Sequence, residues 1–172
     1  MPATYEPIAT ESLSSNQANI TFSAIPSTFT DLVLVFRGGM ATTTGYGLTV
    51  RVNGDSGNNY GWTRLYGAGA NAVTSDSATP QSWFLGLIAG ANNLLSIHTM
   101  TFQNYKDTSF HKTMTMESYG AGWTGGGATG ILGVSKGIWR NTAAITSIAF
   151  SPEFTANLLS GSTATLYGIK RA

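Results

Sequence analysis

The sequence predicts an all-β protein: a single antiparallel β-sandwich, jelly-roll-like, of about eleven short strands. Three observations carry this. No window of 12 or more residues places apolar side chains at helical spacing. Short segments rich in β-branched and aromatic residues recur along the chain, separated by clusters of Gly, Asn, Ser and Pro. Thr, at 24 residues, is dense within those segments, as a pleated surface favours.

Taken in order, strands are expected near Tyr5–Thr10, Asn19–Ser23, Asp31–Arg37, Gly47–Asn53, Gly61–Tyr66, Gln81–Ile88, Leu94–Tyr105, His111–Tyr119, Gly130–Trp139, Ala144–Phe150 and Ser162–Lys170. "GLTVRVN" alternates: Leu48, Val50 and Val52 share one face, and Thr49, Arg51 and Asn53 the other, the pattern of a half-exposed strand. "DLVLVF" is apolar on both faces, so it belongs in the centre of a sheet or beneath a further layer or a neighbouring subunit. The two long segments flanking "KDTS", Lys106–Ser109, read as a hairpin. Many short strands without intervening helices favour a double-sheet jelly roll. The 172 residues fit one domain, with a polar N-terminal segment, residues 1–15, expected to extend as an arm. "TRLYG" and "ATLYG" echo each other, and chance accounts for it in so Thr- and Gly-rich a chain.

Composition narrows the function. Only 10% of residues are charged, against about 25% in an ordinary domain. Nine Lys and Arg scattered over the chain make no basic stripe, so nucleic acid is not expected as a partner. No apolar run reaches the roughly 18 residues of a membrane span. There is no cysteine, and "MPATYEPIAT" has no basic start followed by an apolar run, so neither disulfides nor a signal peptide is expected. A weakly charged, Thr- and Ser-rich surface has little repulsion to hold neighbours apart. Composition fits two readings equally: copies packing closely on one another or on a partner, or a neutral β domain of extracellular type.

No motif makes a convincing reactive centre. "NGDSGNNYG", Asn53–Gly61, spaces oxygen donors as calcium loops do, but the distal bidentate Glu is missing, and a hairpin turn using Asn-Gly and Asp chemistry explains the stretch. "GAGWTG", Gly120–Gly125, matches a dinucleotide pattern in letters only, because a β-like stretch follows where a helix is needed. His98 and His111 lie on the two arms of the expected hairpin, with Asp107 nearby, but no nucleophile elbow accompanies them. No catalytic residue, metal or cofactor is therefore expected, and no enzyme. The aromatic residues are the better candidates, either as protein anchors or as a platform for sugars. Trp123 stands out for its Gly-rich surroundings.

Five phrases spread over the chain carry a resemblance: "YEPIAT", "ITFSAIPSTFTDLVLVF", "RVNGDSGNNYGWTRLYG", "GIWRNTAAITSIAF" and "GSTATLYGIKRA". Together they resemble small virion structural proteins of tailed bacteriophages, including those of cyanobacteria. The stretch from Ala68 to Ala128 contributes little to the likeness. The resemblance implies a β-sandwich, a homo-oligomer (three copies foremost) and contacts with the major capsid protein or other virion proteins. It places the protein on the outer surface of the particle, after assembly in a host cytoplasm. The first expectation is a capsid cement, or decoration, protein. The alternative is a tail-fibre, baseplate or head-fibre module that binds host-surface glycans through its Trp and Tyr side chains. Candidate interface residues are Tyr5, Trp123, Trp139, Arg140, Tyr167 and Arg171, with Arg171 expected beside a subunit or capsid contact at the end of the last strand.

Overall fold

The computed structural model describes residues 5–41, 47–68, 74–78, 84–87, 95–121, 130–153 and 156–170. Twelve strands and no helix occur among them: β1 Tyr5–Ser12, β2 Ile20–Phe22, β3 Asp31–Gly38, β4 Gly47–Val52, β5 Tyr60–Ala68, β6 Thr74–Ala78, β7 Phe84–Leu87, β8 Ser96–Gln103, β9 Lys112–Ala121, β10 Gly130–Trp139, β11 Ile148–Pro152 and β12 Thr163–Ile169. Two antiparallel sheets hold them. The larger has the order β1-β12-β3-β8-β9-β10-β5-β6, the smaller β2-β11-β4-β7.

This order is a jelly roll with an extension. Eight strands pair as a long hairpin folded over on itself: β1 with β12, β2 with β11, β3 with β8 and β4 with β7. Closing β12 against β3 and β11 against β4 rolls that hairpin into two four-stranded sheets. The other four strands are excursions from it. β5–β6 leave between β4 and β7, β9–β10 leave between β8 and β11, and the two excursions meet because β10 pairs with both β9 and β5. They widen the first sheet from four strands to eight.

The core lies between the sheets. Leu32, Leu34 and Phe36 of β3 face Leu48, Val50 and Val52 of β4, together with Ile148 and Phe150 of β11 and Met100 and Phe102 of β8. Each such side chain removed from water contributes about 1.5–3 kcal/mol before entropy is counted. The rings of Phe36 and Phe150 meet edge to face at 5.2 Å across the two sheets. As expected, "DLVLVF" is central: β3 runs between β12 and β8, and Val33 on its outer side is also buried. The alternation of β4 holds on its inner side, but Thr49 on the other is buried too, its hydroxyl bonded to Ser151.

Four expectations need correction. Residues 5–12 of the expected arm are an edge strand paired along β12, with a bulge at Ile8 that accommodates Pro7; residues 1–4 lie outside the described residues. β6, "TSDSA", was not expected, because nothing in its polar composition signals a strand. Residues 144–147 are not part of β11. Asn53 holds them instead: its side-chain oxygen accepts from the backbone N–H groups of Thr146 and Ser147, and its amide donates to Ala144 O at 2.7 Å. Asn53 and Gly54 form the expected left-handed turn, at φ 51° and 64°, with Asp55 N–H closing on Val52 O at 3.0 Å. The turn makes no hairpin, however, since β4 and β5 belong to different sheets.

Candidate interaction surface

The outer face of the eight-stranded sheet is built from alternate residues of each strand, and the register places them in rows. One row runs Thr165, Val35, Thr99, Glu117, Val134, Leu65, Ser75. The next runs Thr163, Arg37, Ile97, Tyr119, Leu132. Within them Leu132 (58% exposed), Leu65 (55%), Tyr119 (47%), Val134 (44%) and Ile97 (41%) form a contiguous apolar group over four strands. Glu117 and Lys136 stand among them, Arg37 stands at the edge across from Ile97, and threonines surround the group.

The inner face of the same strands explains why these side chains point outward. On β5, Trp62, Arg64 and Tyr66 share the inner side, and the Arg64 guanidinium lies 5.2 Å from the Trp62 ring and 5.0 Å from the Tyr66 ring. Opposite them β10 offers Gly137, Ser135 and Gly133. A row of stacked large groups on one strand requires small residues on the next. The bulk of β10 is therefore on the outside.

Of the candidate interface residues, Tyr5 and Tyr167 come together, their rings edge to face at 6.3 Å on the β1–β12 edge of this face. Arg140 is exposed just after β10 and donates to Asn58 O at 2.7 Å. Trp139 is not a surface anchor. It is 1% exposed, stacked on Tyr60, and its indole N–H donates to Asp55 Oδ2 at 2.6 Å. Position 139 falls on the same inner face of β10 as the small residues, where a large ring fills the sandwich end. Trp123 and Arg171 lie outside the described residues, as does most of the Gly-rich stretch 120–125. Sequence reasoning missed Leu65, Ile97, Tyr119, Leu132 and Val134. Their signal was the alternation of "ILGVSKGIW", which separates large from small residues but does not say which set faces inward.

Of the polar groups weighed as reactive centres, Asp55 and His98 make hydrogen bonds within the fold. Asp55 accepts from Trp139, from the Asn59 amide and from Gly57 N–H, so its oxygens are occupied by donors where a calcium loop would present them to a cation. Burial alone would raise its pKa; those donors, with the nearby Arg51 charge, outweigh it and hold the carboxyl below its ordinary value. His98 does not face His111. It is fully buried in β8, with Ser118 Oγ 3.0 Å from Nδ1 and Ser96 Oγ 3.2 Å from Nε2. Ser96 gives its one hydroxyl proton to Gly38 O, so it accepts from Nε2–H, and Ser118 donates to Nδ1. Burial pushes the His98 pKa down to about 3 and keeps the ring neutral. Lys112, also buried, donates to the carbonyls of Phe110 and Thr142. An open cleft of about 390 Å³ at the Trp62 end of β5 is lined by Thr63, Ser77, Lys136, Ile138 and Arg140.

No protein-family model matches the chain, and no curated protein matches it. Among solved structures, a crystal structure of a protein of unknown function from Shewanella oneidensis MR-1 aligns with 98% of this chain and 77% of its own. The identity is 14% and the TM-score 0.28, too low for any inference about fold or function.

Proposed function

We propose that this chain is a structural protein of a tailed-bacteriophage virion, acting as a capsid cement protein. Copies assemble into a homo-oligomer, three being the number the sequence resemblance favours, and seat on the outer capsid lattice. The observation that carries the reading is the outer face of the large sheet. It is broad, threonine-rich and almost free of charge, a surface suited to docking on neighbours in register. The five sequence phrases that resemble virion proteins supply the setting.

The mechanism is mass action. A protein that binds the assembled shell and not its free subunits stabilises the shell by its binding free energy. Many copies, each with a modest interface, add up to a large avidity. Tyr5 and Tyr167, at the β1–β12 edge, are the proposed contact with the major capsid protein. They lie at the opposite end of the sheet from the extension.

The test is a copy count with localisation on purified particles. Quantitative mass spectrometry is expected to find hundreds of copies per particle, and electron microscopy with a labelled chain is expected to place them on the head. A dozen or fewer copies at the tail would replace this reading with a glycan-binding tail or fibre module. Absence from particles would overturn both.

A further inference from the structure

The strand β10 faces the opposite way from an ordinary surface strand. Leu132 and Val134 point to solvent, and Gly133, Ser135 and Gly137 point in. Directly across the strand pairs, Val134 meets Leu65, Leu132 meets Tyr119, and Tyr119 meets Ile97. Side chains so paired sit about 4.5–5.5 Å apart at Cβ, and Leu132 and Val134, two residues apart on the same side of β10, join the two sets into one apolar area. Monomeric proteins seldom leave such an area to water unless a partner covers it.

The charges on the patch say which partner. Glu117 stands on β9 opposite Val134, and Lys136 stands on β10 two residues beyond it. Among the described residues Glu117 accepts only the Tyr119 hydroxyl, at 3.3 Å, and Lys136 makes no ion pair. One acid and one base flank the same apolar centre, and a second base, Arg37, stands at its edge across from Ile97. A partner of either net charge would bury a group of like sign unmatched, a costly outcome. A surface carrying the same acid and the same base matches both.

We propose that this patch is where the chain binds a second copy of itself, apolar centre against apolar centre, with Glu117 of one copy meeting Lys136 of the other. A patch that meets its own copy in this reciprocal way closes a pair about a two-fold axis. It deepens the cement reading and takes its biological setting from it, but its test needs no particle.

The experiment is sedimentation of the purified full chain at concentrations up to about 100 μM, a range that captures even weak self-association. The wild type is expected to form a defined oligomer. Leu132→Asp and Val134→Asp, both at exposed positions, are expected to weaken association by at least about a hundredfold while leaving the circular dichroism spectrum of the folded chain unchanged. Glu117→Lys and Lys136→Glu are each expected to cost about tenfold, and the double reversal to recover most of it. A wild type that stays monomeric, or an oligomer indifferent to Leu132→Asp and Val134→Asp, would overturn the proposal. A double reversal no better than the single ones would overturn the Glu117–Lys136 contact. If the chain associates through this patch and yet is missing from particles, only the cement reading fails.

Discussion

The ring of Phe29 packs directly on the backbone of Gly168. A Cβ built at Gly168 would overlap the ring's Cγ, Cδ1 and Cδ2. Phe29 closes the end of the core between β2 and β3, and Lys170 Nζ lies 5.4 Å from the centroid of its ring while pairing with Glu6. Gly168 is thus fixed by contact and not by backbone conformation. Gly168→Ala is expected to destabilise the fold by about 2 kcal/mol and lower Tm by about 4–8 °C. Scanning calorimetry checks this. Adding Phe29→Leu is expected to give a combined loss smaller than the sum of the two single losses, because the smaller side chain relieves the overlap.

Asp55 ties the end of β10 to the loop after β4 through Trp139, and its carboxylate is the species the donors hold. Asp55→Ala leaves the indole N–H buried without a partner, at a cost of about 2–3 kcal/mol in urea denaturation. The folded pKa lies below the ordinary 3.8, so the stabilisation is fully present above that value and is lost as pH falls through the folded pKa. Melts between pH 5 and about pH 2 are expected to show wild type losing stability faster than Asp55→Asn over the lower part of that range.

His98 adds a second acid sensitivity in a higher window. The buried ring stays neutral down to about pH 3, whereas in the unfolded chain it takes up a proton near its ordinary 6.5. Its contribution is therefore complete above pH 6.5 and falls toward pH 3, at about 1.4 kcal/mol per pH unit. His98→Leu is expected to flatten that slope between pH 6.5 and 4, at the cost of lower stability at pH 7 where Ser118 and Ser96 lose their partner. Nitrogen NMR of the wild-type ring is expected to report the Nε2–H tautomer and no titration near neutrality.

Asn53 combines a left-handed backbone with a side chain that clamps residues 144–147. Asn53→Ala removes the clamp and places a Cβ-bearing residue without local hydrogen bonds at φ 51°, for an expected loss of about 2–4 kcal/mol. Asn53→Gly relieves the backbone but not the clamp, and is expected to lose less. Chemical denaturation of the two variants side by side measures the difference.

Much of the fold was legible because one face of most strands is buried and alternates in sequence. Gly130–Trp139 has the expected bounds, and Asp31–Arg37 the expected central place. β6 was illegible because its residues have no β signal of their own: "TSDSA" is a strand only through its register with Trp62–Tyr66. The exposed apolar face was not legible. Tyr5 and Tyr167, named as interface residues, meet edge to face within one chain. Trp139 was misread, and Leu132 and Val134 overlooked, for a single reason. Period-two alternation separates two faces, but the space taken by Trp62, Arg64 and Tyr66 on the adjacent strand decides which face of β10 must be small. That is a contact between residues some 70 positions apart, invisible to any local window.

The position of β12 constrains the order of events during synthesis. It is the last of the twelve strands to leave the ribosome, yet its slot is between β1 and β3, among the first. Until it arrives, β1 has no neighbour to bond with, and β3 keeps an open edge that any other nascent copy can occupy. Chains stalled or truncated before Thr163 should therefore collect as aggregates and not as nearly finished molecules, and the roll can close only once translation has passed its final strand.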